Sequence, residues 1–225
     1  MALLQGTGCN AIGLCGADGN VIKASKRPPV KVEMSDEAAA ESPAATSISP
    51  CEEKGWQMVD YGYVGDVKAE SVDAGFIYSL LERGIVPVFN AINHDGDGNL
   101  LNTNADTIAS SVAMALASYK YRSRRDVCSA CEDCIHCSDD GRLTHEVELI
   151  YCFEKDGVLY DKDDDRSVIP EIDKERFVQL KCEGRVADGM IPKLTNSFKA
   201  IDSGVARVII KHAKNLLNDK GTILQ

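Results

Sequence analysis

The sequence contains no apolar run long enough to cross a membrane, although 44% of its 225 residues are hydrophobic. A membrane-spanning helix needs about 20 consecutive, mainly apolar residues. Residues Met1 to Gly8 also lack the charged start and the apolar centre of a secretory signal peptide. We therefore expect no membrane partner and a cytoplasmic protein that is long enough to bury a substantial core.

Positive charge is scarce as well. The 25 lysines and arginines are outnumbered by 35 aspartates and glutamates, which gives a formal net charge of −10 at pH 7. Nucleic-acid-binding proteins typically present a basic face with interleaved aromatic side chains, and no stretch of this sequence has that pattern. We expect no nucleic-acid partner, and a small anionic substrate would have to meet local positive charge.

The common phosphate-binding fingerprints are also missing. No GxxxxGK[ST] motif occurs and no GxGxxG motif follows a strand, so the sequence predicts neither a P-loop nor a Rossmann fold. Asp95, Asp97 and Asn99 resemble the start of a calcium-binding loop. However, Leu100 replaces the glycine of its sharp turn, and Asp106 replaces its bidentate glutamate. A simple turn explains these residues better than a calcium site.

Nine cysteines are present, which is an odd number. Five are scattered, as is typical of buried free thiols in a reducing compartment. These five are Cys9, Cys15, Cys51, Cys152 and Cys182. The other four lie close together near His136 and His145, with spacings that zinc or an iron–sulfur cluster could use. They are Cys128, Cys131, Cys134 and Cys137. The alternative is a tract without metal in an exposed insertion.

Strands and helices alternate along most of the sequence. Short apolar runs predict strands through Ile22 and at residues 11–14, 61–66, 85–89, 147–153 and 206–210. Apolar residues at helical spacing predict helices at 74–83, up to Ser118, at 173–181 and from Pro192 to Gly204. This order predicts an α/β fold in which one open, mostly parallel sheet has helices on both faces, a three-layer αβα sandwich.

Two stretches interrupt this order. Val32 to Gln57 is rich in alanine, serine, proline and glutamate and has no sustained periodicity, which predicts a flexible loop. Tyr119 to Glu146 is polar and cysteine-rich, and it separates a predicted helix from the strand that should follow. We interpret both stretches as insertions into a single domain.

The stretch Asn102 to Asp106 places two amides and a carboxylate between a predicted turn and a predicted helix. Asn104 or Asp106 can cap this helix, whose free N–H groups could receive a phosphate or carboxylate ligand. Lys193 stands just inside the start of another predicted helix, where a cation also suits a phosphate oxygen. Simple helix capping explains Asn102 to Asp106 slightly better than a ligand site does, and a solvated surface lysine explains Lys193 equally well.

Seven motifs together resemble the amino acid kinase family, and within it the N-acylglutamate kinases of Bacteroides-like bacteria. They occur in the family's order and spacing over most of the chain. The motifs are Gly13 to Asn20 (GLCGADGN), Tyr63 to Asp66 (YVGD), Gly84 to Val88 (GIVPV), Asn102 to Asp106 (NTNAD), Glu154 to Leu159 (EKDGVL), Gly189 to Lys193 (GMIPK) and Gly221 to Ile223 (GTI).

The resemblance implies that the γ-carboxylate of N-acetyl- or N-succinyl-L-glutamate attacks the γ-phosphoryl group of ATP to give an acyl phosphate, the second step of arginine biosynthesis. It further implies Mg²⁺ at the phosphates and a homodimer. Lys193 would stabilise the transferring phosphoryl group, Asp106 would orient the lysine, and Asn102 and Asn104 would bind the substrate. The residues implied at the nucleotide are Glu154, Lys155, Asp156, Gly157, Val158, Leu159, Arg185, Val186 and Ala187.

Members of this family also begin with a strand that carries a catalytic lysine and a Gly-rich loop, followed by a Gly-Gly pair and an arginine. None of these has a counterpart in this sequence, so we expect an incomplete amino-terminal lobe and no turnover from this chain alone. The expected substrate lobe is residues 1–101, with insertion 32–57. The expected nucleotide lobe is residues 102–225, with insertion 119–146.

Two alternative functions remain open from the sequence. One is a catalytically inactive, kinase-like binding module in which the cysteine cluster holds a metal. The other is a related kinase that acts on another small acid.

Overall fold

The computed structural model describes residues 1–33, 56–119, 146–161, 163–185 and 190–225. Its strands are β1 (Ala11–Leu14), β2 (Ile22–Lys26), β3 (Val30–Glu33), β4 (Trp56–Val59), β5 (Gly65–Val72), β6 (Val86–Phe89), β7 (Ile92–His94), β8 (Leu100–Asn102), β9 (Glu148–Phe153), β10 (Glu171–Ile172), β11 (Arg207–His212) and β12 (Thr222–Leu224). Its helices are α1 (Ala2–Gly6), α2 (Ala74–Leu81), α3 (Ala105–Ser118), α4 (Lys174–Cys182) and α5 (Met190–Asp202). No helix within these ranges is long and apolar enough to span a membrane.

The amino-terminal half of the chain contributes three groups of paired strands. Strands β1 and β6 are parallel, and β3 pairs antiparallel with β4. The third group is a four-stranded sheet in the order β5-β2-β7-β8. The Asp95 carboxylate closes the turn between β7 and β8 by accepting hydrogen bonds from the backbone N–H groups of Asp97 (2.7 Å) and Asn99 (3.1 Å). The residues that resembled a calcium loop therefore form a hairpin turn.

The carboxy-terminal half forms a four-stranded sheet in the order β10-β12-β11-β9. Strands β9 and β11 run parallel in continuous register from Glu148 opposite Arg207 to Phe153 opposite His212. Strand β12 pairs antiparallel with β11 and parallel with β10. Helix α3 packs on β9 of this sheet and α5 packs on β11, and the two helices contact each other.

The predicted fold class is confirmed, since the chain combines parallel strand pairs with helices in a mixed α/β arrangement. The one mostly parallel sheet that was expected is not found among the described strands, which form two four-stranded sheets and two separate pairs with both parallel and antiparallel pairing. A short connection explains one of the antiparallel pairs. A parallel pair needs a crossover of a dozen or more residues, but only a short turn joins β7 to β8. The chain can therefore form only a hairpin there.

Two buried clusters form the core, and α3 contributes to both. The amino-terminal cluster includes Ile22, Ile77 and Leu101, with Ile108 and Ala115 from α3. The carboxy-terminal cluster contains Ala113 from α3 together with further fully or nearly fully buried side chains. These include Leu149, Tyr151, Leu180, Leu194, Phe198, Val208, Ile210 and Leu224. Because its apolar residues point to both sides, α3 fixes the position of its own first turn against both clusters.

Two predicted boundaries need correction. The stretch from Val32 to Gln57 was expected to be a loop, but the backbone pairs Val32 with Gln57 and Glu33 with Trp56 as the end of the β3–β4 ladder. Residues 34–55 lie outside the described ranges. The second expected insertion starts at Tyr119, whose ring stacks on Tyr78 with a centroid distance of 5.6 Å. Local composition did not reveal either long-range contact.

Ile210 provides a test of the carboxy-terminal core. Its side chain is fully buried, so Ile210→Ala should lower the free energy of unfolding by about 2–5 kcal/mol through lost burial and a residual cavity. Urea unfolding would measure this change. Leu217→Ala is the control because Leu217 is fully exposed, and its effect should stay within about 0.5 kcal/mol. Equal effects of the two substitutions would contradict the core assignment.

Candidate functional site

The candidate site is built on the first turn of α3, where Asn104 is the N-cap. Its side-chain oxygen accepts hydrogen bonds from the backbone N–H groups of Asp106 (2.9 Å) and Thr107 (3.2 Å). This satisfies donors that would otherwise have no partner at a helix start. Of the two capping residues that the sequence allowed, Asn104 is the one that caps, which leaves the Asp106 carboxylate available for another contact.

Asp106 makes that contact with Lys193 of α5. The Lys193 ammonium lies 3.2 Å from Asp106 Oδ2. Only 13% of the Lys193 side chain is exposed, whereas 41% of the Asp106 side chain is exposed. The structure therefore brings together the two residues that the resemblance implied as catalytic, and Lys193 is not a solvated surface lysine.

Two aromatic rings of β9 complete the surroundings of Lys193. Its Nζ lies 5.3 Å from the centroid of the Tyr151 ring and 4.9 Å from that of Phe153. Both distances fit cation–π contacts. Sequence reasoning missed these rings because it assigned residues 147–153 only to a strand. The available signal was the spacing of two aromatic residues two positions apart, which places both on one face of a strand.

Tyr151 also contacts the other partner of the ion pair. Its hydroxyl donates a hydrogen bond of 3.1 Å to the backbone carbonyl of Asp106. Burial raises the pKa of Tyr151 to about 12, an effect that the hydrogen bond with Ser110 opposes and the charge of Asp106 reinforces. The phenol therefore stays neutral, and remains a donor, throughout the physiological pH range.

Asn102 and Thr103 precede the cap. Asn102 ends β8, its side chain is exposed, and its backbone N–H donates to the carbonyl of Tyr63 (2.8 Å). Thr103 is 3% exposed, and its hydroxyl has no hydrogen-bond partner among the described residues. A cavity of about 260 Å³ lies beside this loop. It is lined by Phe89, Asn90, Ala91, Ala105, Ile108, Ala109 and Val112.

The segment from Glu154 to Leu159 leaves the end of β9 that carries Phe153. Its centre packs inward, because Val158 is 2% exposed and its N–H donates to the Thr222 hydroxyl at 2.8 Å. Gly157 leaves no room for a side chain, since a Cβ atom there would lie 2.6 Å from Thr222 Oγ1. This packing leaves the exposed Glu154 and Asp156 and the half-buried Lys155 on the outside of the segment. Contact of this segment with a nucleotide stays a prediction.

Arg185 is brought next to that segment by an aromatic contact. Its guanidinium lies 4.9 Å from the centroid of the Tyr160 ring, and that of Arg176 lies 6.0 Å from it. Tyr160 directly follows the segment, so Arg185 and residues 154–159 border the same surface. Val186 and Ala187, the two other residues implied there, lie outside the described ranges.

The cysteines differ from expectation in part. Cys9 and Cys15 are half-buried free thiols, but Cys152 and Cys182 are exposed, which corrects the prediction that they are buried. Cys152 is exposed because neighbouring residues of a strand face opposite sides, and Tyr151 and Phe153 take the inner side. The cluster Cys128, Cys131, Cys134 and Cys137, with His136 and His145, lies outside the described ranges, as does Cys51. The described residues contain no group of three or more potential metal ligands.

Comparison with known proteins identifies the family. The sequence model of the amino acid kinase family matches residues 1–122, which is more than half of the chain. The chain belongs to the amino acid kinase family. It is 43% identical over 225 residues to an acetylglutamate kinase of Phocaeicola vulgatus and 41% identical over 222 residues to one of Bacteroides thetaiotaomicron. These matches confirm the resemblance stated from the motifs.

The chain spans slightly less than two thirds of the length of these two acetylglutamate kinases. The alignments cover 100% and 99% of this chain but 66% and 65% of the two relatives. In three dimensions the chain resembles smu.665 of Streptococcus mutans, with a TM-score of 0.61 and 23% identity over 100% of this chain and 64% of that one. This structural likeness supports the fold. None of these comparisons supports the alternative of a metal-binding module.

Asn104 provides a test of the helix start. Asn104→Ala should lower the free energy of unfolding by about 0.5–2 kcal/mol, since it removes the oxygen that accepts from two backbone N–H groups. Thermal or urea unfolding would measure the loss. Asn104→Ser is the control because serine also caps helices well, and it should retain most of the stability. An alanine variant as stable as the parent would contradict the capping role.

Tyr151 predicts a pH dependence of stability. Its pKa is raised in the folded state from 10.0 to about 12, so the unfolded chain loses this proton first as the pH rises. The Tyr151 contribution is therefore complete below pH 10 and is lost as the pH rises towards 12. Urea unfolding at several pH values should show a shallower decline for Tyr151→Phe than for the parent. Identical slopes would show that Tyr151 titrates normally.

Proposed function

We propose that this chain belongs to an enzyme that transfers the γ-phosphoryl group of ATP to the γ-carboxylate of an N-acyl-L-glutamate, as in the second step of arginine biosynthesis. The observation that carries this proposal is the ion pair between Lys193 and Asp106 at the start of α3. The names of the relatives support N-acetylglutamate as the substrate, and N-succinylglutamate is the alternative acyl form.

The reaction needs positioning and charge stabilisation more than covalent help. A carboxylate oxygen of the substrate forms a new bond to phosphorus while the bond from phosphorus to the leaving oxygen of ADP breaks, and negative charge spreads over the transferring oxygens. A cation that is already held in position stabilises this transition state more than one that must first be reoriented. The Lys193 ammonium is such a group, because it is mostly shielded from solvent and held by fixed neighbours.

Asp106 is proposed to orient Lys193. Its carboxylate contacts the ammonium from the first turn of α3, where the positive end of the helix dipole favours a negative charge. The carboxylate thereby helps to direct the ammonium towards the start of α3. Its negative charge also keeps the pair close to neutral until an anionic substrate arrives.

Substrate binding is proposed for the loop that precedes α3. Asn102 offers an exposed amide. The next residue, Thr103, has a buried hydroxyl with no hydrogen-bond partner among the described residues. The adjoining cavity of about 260 Å³ is mainly apolar, which suits the methyl or methylene groups of an acylglutamate. Asn104 uses its oxygen for the cap, so only its amide N–H groups are available to a ligand.

The nucleotide is proposed to lie along Glu154 to Leu159 and Arg185, which border one surface. We propose that the reaction would use Mg²⁺, an ion that commonly binds through substrate phosphates and one or two carboxylates. When bound, Mg²⁺ neutralises phosphate charge. We propose a substrate lobe and a nucleotide lobe; the two buried clusters support two lobes, with α3 packed against both. We further propose that the enzyme is a cytoplasmic homodimer.

Calorimetry with Mg-ADP tests the proposal directly. The folded chain should bind Mg-ADP, and Lys193→Ala should weaken that binding. Lys199→Ala is the control because Lys199 lies exposed on the same helix, and it should leave binding unchanged. Absence of binding at millimolar Mg-ADP would overturn the proposal.

Turnover tests the proposed chemistry and substrate. Coupled ADP release would be measured with N-acetylglutamate, N-succinylglutamate, glutamate and aspartate. Any rate that the parent shows with an acylglutamate should fall by about a hundredfold to a thousandfold in Lys193→Ala, as for loss of one preorganised donor. A preference for glutamate or aspartate would instead favour a related kinase of the same family.

A further inference from the structure

We propose that Tyr151 and Phe153 are positioning residues, which hold the Lys193 ammonium against Asp106 and so set the geometry of the ion pair. The placement of Lys193 follows from the contacts of these side chains. Only the catalytic consequence rests on the proposed function.

A lysine side chain that is not enclosed moves freely. A lysine side chain has four flexible carbon–carbon bonds and loses considerable rotamer entropy when it is fixed. A single carboxylate contact restrains the end of that chain weakly, because a partly exposed ion pair contributes little. Lys193 is nevertheless only 13% exposed. Other groups must therefore enclose its side chain.

Those groups are the two aromatic rings on the inner face of β9. The Lys193 Nζ lies 5.3 Å from the Tyr151 centroid and 4.9 Å from the Phe153 centroid. The electron-rich face of an aromatic ring attracts a cation and excludes water from it. Two rings together with one carboxylate limit the ammonium to a small volume, whereas Asp106 alone does not.

Tyr151 contacts both partners of the ion pair. Its ring lies near the Lys193 ammonium, and its hydroxyl donates to the backbone carbonyl of Asp106 at 3.1 Å. This hydrogen bond ties β9 to the first turn of α3. Tyr151 thereby sets the distance between the strand that supports the lysine and the helix that carries the aspartate.

Core packing is the alternative explanation for both rings. Tyr151 belongs to the carboxy-terminal cluster, and Phe153 packs against it. If packing were their only role, a leucine at either position would disturb stability but would not selectively change the environment of Lys193. Phe177 provides the matched control, because its ring stacks on Phe198 in the same cluster, whereas the cation–π contacts of Lys193 within the described ranges are with Tyr151 and Phe153.

NMR of the lysine side chains in the full chain separates these explanations. The ε-methylene signals of Lys193, assigned with Lys193→Arg, should be displaced by the ring currents of both aromatic residues relative to those of the exposed Lys199. Phe153→Leu and Tyr151→Leu should each move the Lys193 signals towards the Lys199 position. Phe153→Tyr, which retains an aromatic ring, should keep the displacement seen in the parent. Phe177→Leu should also leave the displacement unchanged.

Tyr151→Phe tests the role of the Tyr151 hydroxyl, because it removes the hydroxyl and keeps the ring. The ring-current displacement of Lys193 should persist, whereas the backbone amide signals of the first turn of α3 should shift. Lys193 signals that match those of Lys199 in the parent chain, or that do not respond to either leucine variant, would overturn the proposal. An equal response to Phe177→Leu would overturn it as well, because that result is expected for packing alone.

Kinetics then test the catalytic consequence separately. If the parent turns over, Phe153→Leu should lower kcat by about tenfold to a hundredfold, the scale expected for a slightly misplaced catalytic group, with little change in the KM for ATP. An unchanged kcat together with a displaced Lys193 would overturn the positioning role. Failure of the parent to bind Mg-ADP would count against the proposed function, and the NMR result would still decide the placement of Lys193.

Discussion

The ion pair between Lys193 and Asp106 joins the starts of two helices that are far apart in the sequence, and the candidate site is arranged around it. A cation with only 13% of its side chain exposed loses much of its hydration. The structure offsets this loss with a carboxylate and the faces of two aromatic rings. The site therefore depends on packing as much as on charge, since the rings must stay in place for the lysine to remain directed.

Helix α3 provides the rigid support for this arrangement. Ile108 and Ala115 pack into the amino-terminal cluster, and Ala113 packs into the carboxy-terminal one. Its first turn is capped by Asn104 and tied to β9 by the Tyr151 hydroxyl. Because interiors are close-packed, a shift of α3 in either cluster would move Asp106 relative to Lys193. Residues distant from the site can therefore influence the ion pair through the core.

Local patterns predicted many of the elements. The helices at α2, α3 and α5 follow the predicted periodicity, and the strands at β1, β6 and β9 follow the predicted apolar runs. Gly84 and Gly204 follow α2 and α5 with positive φ, as glycines at helix ends commonly do. The antiparallel pairs and the β3–β4 ladder were not predicted, because strand partners are chosen by contacts between distant segments. The exposure of Cys152 was missed for a similar reason, since strand alternation was not applied to it.

The sequence by itself determined the local features of this protein, namely a capped helix start near Asn104, the Asp95 turn, the order of most helices and longer strands and, through its motifs, the family. Tertiary structure alone decided that Lys193 meets Asp106, that Tyr151 contacts both, and that Phe153 covers the ammonium. The physical reason is range. Capping, turn formation and hydrophobic periodicity act over a few neighbouring residues, whereas this site forms only when α3, α5 and β9 pack into one core.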